Sequence, residues 1–193
     1  MICLFKALKI KIKISMGNKE SLPENKVKRY TNFEHEDVDN WSKAFYSIFP
    51  NEHFSKKDLV RELKIYFPNG NVMPFSEHLF RAFSKKEKIG FHEFIKIYSY
   101  LIFGDTNQKL ELIFKLYDSD NDNKLSRNDI IIVSKDLLLM LRELYEPNFD
   151  IEDVVDLLFK EIDKDFIDFK SFKEMNNDRN KAFEMLFCAF DKE

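Results

Sequence analysis

Glycine and proline are scarce in this chain, at four and five of 193 residues. An all-β sandwich or barrel needs many tight turns, so the shortage excludes that class and favours helices. No uninterrupted run of about 18 apolar residues occurs, which argues against a membrane-spanning helix. The two cysteines, Cys3 and Cys188, have no metal-ligand spacing. Two free thiols suit a reducing, cytoplasmic setting better than a disulfide scaffold. The formal net charge is only −3, and without a basic field nucleic acid is not an expected partner. No Walker loop, Gly-x-Ser-x-Gly elbow or dinucleotide fingerprint occurs. His35-Glu36 and His92-Glu93 lack the second histidine of a zinc-protease motif, so the chain is not expected to be an enzyme.

What is abundant is phenylalanine, at 21 residues. A core built from it is aromatic, and any groove it opened would attract apolar partners. The first 30 residues form an N-terminal extension that reads as flexible. Its opening stretch, MICLFKALKIKIKIS, is apolar but broken by Lys6, Lys9, Lys11 and Lys13. It lacks a signal-peptide cleavage site, and a cationic membrane-surface segment is the other reading. Met16-Gly17-Asn18-Lys19-Glu20-Ser21 matches the N-myristoylation pattern. The chemistry needs a free glycine amine, so Gly17 is a lipidation site if translation begins at Met16, and peripheral membrane association would follow.

From about residue 31 the apolar residues fall at helical spacing. Val38, Trp41, Phe45 and Phe49 share a face, then Leu59, Leu63 and Tyr66. Leu79, Phe80 and Phe83 predict a short third helix, and Phe94, Ile95, Tyr98 and Ile102 a fourth. Leu110, Ile113, Phe114 and Tyr117 follow. Ser126 with Asp129 caps a long helix expected to run through Leu141 and Leu144, as Ser55 with Asp58 and Asp150 with Asp153 cap others. Val154, Leu158 and Ile162 lie on the next helix. Phe169, Phe172 and Met175 precede a last helix with Phe183, Leu186, Phe187 and Phe190.

The connectors share a signature: an apolar residue followed five positions later by another. The pairs are Phe54/Leu59, Ile89/Phe94, Leu125/Ile130 and Ile167/Phe172, recurring every 35 to 42 residues. Such a period marks repeated supersecondary units. In an EF-hand loop the eighth residue is apolar because it bridges to the partner loop, and the thirteenth begins the core face of the exit helix. The fold class is therefore all-α, with four helix–loop–helix units in two paired lobes. The expected boundaries are 31–104 and 105–193, the first with degenerate loops and the second with an added C-terminal helix.

The third loop, Asp118 to Asp129, nearly matches the EF-hand calcium pattern. Calcium needs several hard oxygens around one point. Asp118, Asp120 and Asp122 offer carboxylates at positions 1, 3 and 5. Lys124 offers a main-chain carbonyl, Ser126 a hydroxyl or a bridging water, and Asp129 the twelfth-position carboxylate. Asn123 stands where glycine is usual, and asparagine is the next residue to tolerate a left-handed backbone. Asp129 is one methylene shorter than the usual glutamate, which predicts weakened calcium selectivity and magnesium as the resting occupant of this one site. The other three loops read as dead. The first lacks the carboxylate series. The second is about two residues short, with lysines where ligands belong, and the fourth is about three residues short and ends in Ser171.

These residues resemble the neuronal calcium sensor family, the recoverin and frequenin kind. The likeness covers residues 16–190. It rests on Met16-Gly17-Asn18, on Val38-Asp39-Asn40-Trp41, on Tyr66-Phe67-Pro68-Asn69-Gly70-Asn71, and above all on Phe114 through Asp122. The calcineurin B group and calaxin-like axonemal proteins look similar over the third hand. The resemblance implies a calcium sensor with an N-terminal lipid and an apolar groove lined by Trp41, Phe45, Phe49, Phe80 and Phe83, where an amphipathic target helix would dock. Plain core is the other reading of those aromatics. The family normally keeps ligands in more hands than this chain does. A metal-independent adaptor or light-chain-like subunit is therefore the competing function.

Overall fold

The computed structural model describes residues 35–84, 87–142 and 144–188. The N-terminal extension, including Gly17, and Phe190 at the end of the last expected helix lie outside them. Within them the chain is helical, broken by four short strands. Helix α1 (His35–Ile48) leads to β1 (His53–Phe54), α2 (Lys56–Tyr66) and α3 (Val72–Phe83). Strand β2 (Ile89–Gly90), α4 (Phe91–Phe103) and α5 (Thr106–Tyr117) follow. Then come β3 (Lys124–Leu125), α6 (Arg127–Leu141), α7 (Ile151–Ile162), β4 (Ile167–Asp168), α8 (Phe169–Asn177) and α9 (Lys181–Phe183).

The strands join the loops in antiparallel pairs. Phe54 faces Ile89 and Leu125 faces Ile167, the same four residues whose spacing marks the repeats. All four are buried. Each hand thus covers its partner's apolar face, and a loop without ligands still serves this pairing.

Helix starts are set by side chains that take up the orphan N–H groups of the first turn. Ser55, Asp105 and Ser126 close capping boxes with Asp58, Gln108 and Asp129. Asp150 accepts from the N–H groups of Glu152 and Asp153. The core is aromatic, as composition requires. Phe45 meets Phe49, Phe91 and Phe94 at ring separations of 5.0–5.6 Å. Phe172 meets Phe114, Phe183 and Phe187 at 4.8–5.5 Å.

Three elements differ from expectation. Helix α3 is twelve residues long, not short. Val72 and Phe75 are wholly buried, and Pro74 sits in the first turn, where its missing N–H leaves nothing unsatisfied. Helix α6 stops at Leu141, and Leu144 is 69% exposed in the turn beyond it. Glu146 precedes Pro147, which disfavours helical backbone there. The last expected helix is a short α-helical turn followed by a π-helical segment, Glu184–Cys188. The wider winding still buries Leu186 and Phe187.

Helix α3 crosses from the first hand pair to the second and packs on both α5 and α6. The turn before it is pressed against α6. The Asn71 N–H donates to the Leu139 carbonyl at 3.1 Å, and Gly70 lies so close that a β-carbon there would sit 2.0 Å from the Met140 carbonyl oxygen.

Candidate metal centre

The third loop begins as α5 ends. Asp118 is the C-cap, its N–H bonded to the Phe114 carbonyl, and it is buried. Its two carboxylate oxygens accept from the N–H groups of Asp122 and Asn123, each at 3.1 Å. Asp120 accepts from the Asp122 N–H at 3.2 Å, and Asp122 from the Lys124 N–H at 2.7 Å. Each aspartate therefore organises backbone a few residues downstream, which curls the chain about its own carboxylates. The curl needs left-handed backbone at Asn121 (φ 59°) and Asn123 (φ 63°). Asparagine tolerates that conformation, as the sequence leads one to expect at position 123.

The result brings Asp118, Asp120 and Asp122 together. One carboxylate oxygen from each lies within 4.8 Å of the others. Burial pushes the Asp118 carboxyl above the usual carboxylate range. The charges of Asp122 and Asp120 push it further, against the lowering effect of its backbone bonds. Crowded negative charge of this kind is relieved by a hard dication, and the donor set is all oxygen, so these residues fit one.

Asp129 stands apart from the triad. One of its oxygens accepts from the Ser126 N–H at 2.9 Å and from the Ser126 hydroxyl at 2.6 Å, closing the α6 cap. The other accepts from the Ser119 hydroxyl. Ser126 is thereby committed to the cap, and the Lys124 ammonium lies 4.2 Å from the centroid of the Phe166 ring on the neighbouring loop.

The other loops differ in kind. In the fourth, the Lys164 ammonium donates to Ser171 at 2.7 Å, so a tethered cation bonds to the residue at the loop's ligand end. Asp168, which faces Lys124 in the strand pair, caps α8 by accepting from the Ser171 N–H. Among the described residues only the third loop gathers three acidic groups that could hold a metal.

No protein-family model matches the chain. It is 26% identical over 113 residues to recoverin from Homo sapiens, covering 58% of this chain and 56% of that protein. Visinin from Gallus gallus is 24% identical over 115 residues, 58% of this chain and 60% of that protein. Calcineurin B from Schizosaccharomyces pombe is 26% identical over 181 residues, 91% of this chain and the whole of that protein. The chain resembles EF-hand proteins of the neuronal calcium sensor and calcineurin B kind. It spans little more than half the length of recoverin and visinin.

The five aromatics of the expected groove are all buried. Trp41, Phe45, Phe49, Phe80 and Phe83 belong to the core cluster. Phe83 also borders a cavity of about 260 Å³ between α4 and α5, whose lining mixes Ile97, Tyr100 and Leu112 with the charged Glu93 and Lys115. Sequence reading misses three participants: Ser119, whose hydroxyl holds Asp129, and His78 and Arg81 of α3. No motif contains these last two, because the contact they make is between halves of the chain. No helix among the described residues is long and apolar enough to cross a membrane.

Proposed function

We propose that the protein is a calcium-binding regulatory module, cytoplasmic and without enzymatic activity, with one working site in its third hand. The observation that carries this reading is the convergence of Asp118, Asp120 and Asp122 in a loop already curled about them. Those three would hold the ion through carboxylates, the Lys124 carbonyl would add a main-chain oxygen, and Ser126 would act through water. Asp129 would complete the shell on leaving Ser119. A bound dication would supply charge neutralisation and a fixed geometry at the end of α5. An all-oxygen triad with a short twelfth residue favours magnesium at rest and calcium on stimulation. Calorimetry should find one calcium per chain in the wild type and none in Asp118→Asn. Two or more sites, or a site that survives that substitution, would refute it.

The division into lobes at 31–104 and 105–193 accompanies this reading. So does docking of a partner's amphipathic helix, for which the first hand pair would have to part its buried aromatics. The apolar wall at Phe83, Ile97, Tyr100 and Leu112 supports that as the place where parting begins. A start at Met16 would free Gly17 for myristate and membrane association, and intact-mass measurement of native protein checks this. Lys164 on Ser171 favours the competing view for the fourth hand, which on that contact is a metal-independent structural partner.

A further inference from the structure

Helix α3 reaches across to both helices of the third hand through two side chains. The Arg81 guanidinium donates to the Leu116 carbonyl at 2.9 Å. That carbonyl lies in the last turn of α5, where the helix dipole already favours a cation, two residues before Asp118. Arg81 also donates to His78 Nδ1 at 3.1 Å, and His78 Nε2 donates to Asp136 of α6 at 2.8 Å. The tautomer with its proton on Nε2 satisfies both contacts. Arg81 thus ties to the entering helix directly and to the exit helix through His78. Its buried Nε has no hydrogen-bond partner among the described residues. Burial disfavours its charge, and the carboxylates of Asp129, Asp118 and Asp120 offset that cost.

We propose that Arg81 is a resident counter-charge to the third loop, which sets the loop's metal affinity and carries its occupancy to helix α3. The proposal rests on the metal reading above. A dication among the aspartates takes up the negative charge that steadies Arg81 and repels the guanidinium. Binding therefore weakens the clasp that holds α3 to α5 and α6, and by linkage the clasp weakens binding. An interface between hand pairs is in this way coupled to an ion it does not touch.

The test uses full-length wild type, Arg81→Gln and Arg81→Lys, with calcium chloride as the probe. Calorimetry gives the Kd, and hydrogen exchange follows the α3 amides with and without the ion. The glutamine variant, which keeps donors but not charge, should bind calcium about five- to tenfold tighter, within the usual range of coupling between sites. The lysine variant should stay within about twofold of wild type. Calcium should speed exchange in α3 of the wild type, and the effect should be absent in Arg81→Gln. Equal or weaker binding by a folded Arg81→Gln, or α3 exchange in the wild type that ignores calcium, would overturn the proposal while leaving the metal site standing. Should Arg81→Gln not fold, the wild-type exchange decides alone. A wild type that binds no calcium would instead remove the metal reading itself, and this proposal with it.

Discussion

Replacing Asp129 by glutamate separates what the cap requires from what the ion requires. Both Asp129 oxygens are engaged, one with Ser126 and one with Ser119. Glutamate adds one carbon–carbon bond, about 1.5 Å of reach. At the third helical position it still closes a capping box with serine, so α6 keeps its start. The bond from Ser119 is lost, at a net cost of about 1 kcal/mol, which lowers the melting temperature of a chain this size by about 2–4 °C. With calcium present the longer side chain can offer both oxygens. The gain should be about ten- to hundredfold in Kd, or about 1.4–2.8 kcal/mol. Magnesium, held to six ligands, should gain far less. The variant is therefore less stable than wild type in chelator and more stable in calcium. Calorimetry with each ion, and melting curves in chelator and in calcium, read both halves. A calcium Kd that does not move, or equal tightening for magnesium, would refute the reasoning.

Three further outcomes follow from the packing. Phe172→Ala removes a wholly buried ring that touches Phe114, Phe183 and Phe187, and should cost about 3–5 kcal/mol in urea unfolding; a loss under about 1 kcal/mol would contradict that role. Gly70→Ala drives a β-carbon into the Met140 carbonyl and should cost about 1–3 kcal/mol, with faster exchange at the Asn71 amide. For Asp58, burial raises the carboxyl, but the bonds from Ser55 and Arg61 outweigh it and the net shift is downward. Its support of α2 is therefore complete above the ordinary carboxylate range and is lost as pH falls through the lowered value. Asp58→Asn should flatten that part of the acid limb, and an unchanged acid transition would contradict it.

Much of the scaffold is legible in the sequence because it is written locally. Ser55, Ser126 and Asp150 announce helix starts through chemistry confined to three residues. The pairs Phe54–Ile89 and Leu125–Ile167 are set by a repeat that one chain displays four times. The three carboxylates at 118, 120 and 122 gather because each binds backbone only two to five residues on. What escapes a sequence reading is non-local or geometric. Leu144 has the right spacing for α6 but lies past its end, exposed in the turn after Leu141. The π-helical turn at Glu184–Cys188 winds outside the period that a helical pattern assumes. Arg81 and His78 carry no motif, since their roles exist only once α3 is laid across α5 and α6. Position twelve of the loop marks Asp129 as a ligand but does not announce its bond from Ser119.

Crystals grown with calcium and measured for anomalous scattering put the question to the molecule itself. A single peak is expected, seated among the carboxylates of Asp118, Asp120 and Asp122, with nothing in the other three loops. No peak there, or a peak at Lys164 and Ser171 instead, would contradict the reading.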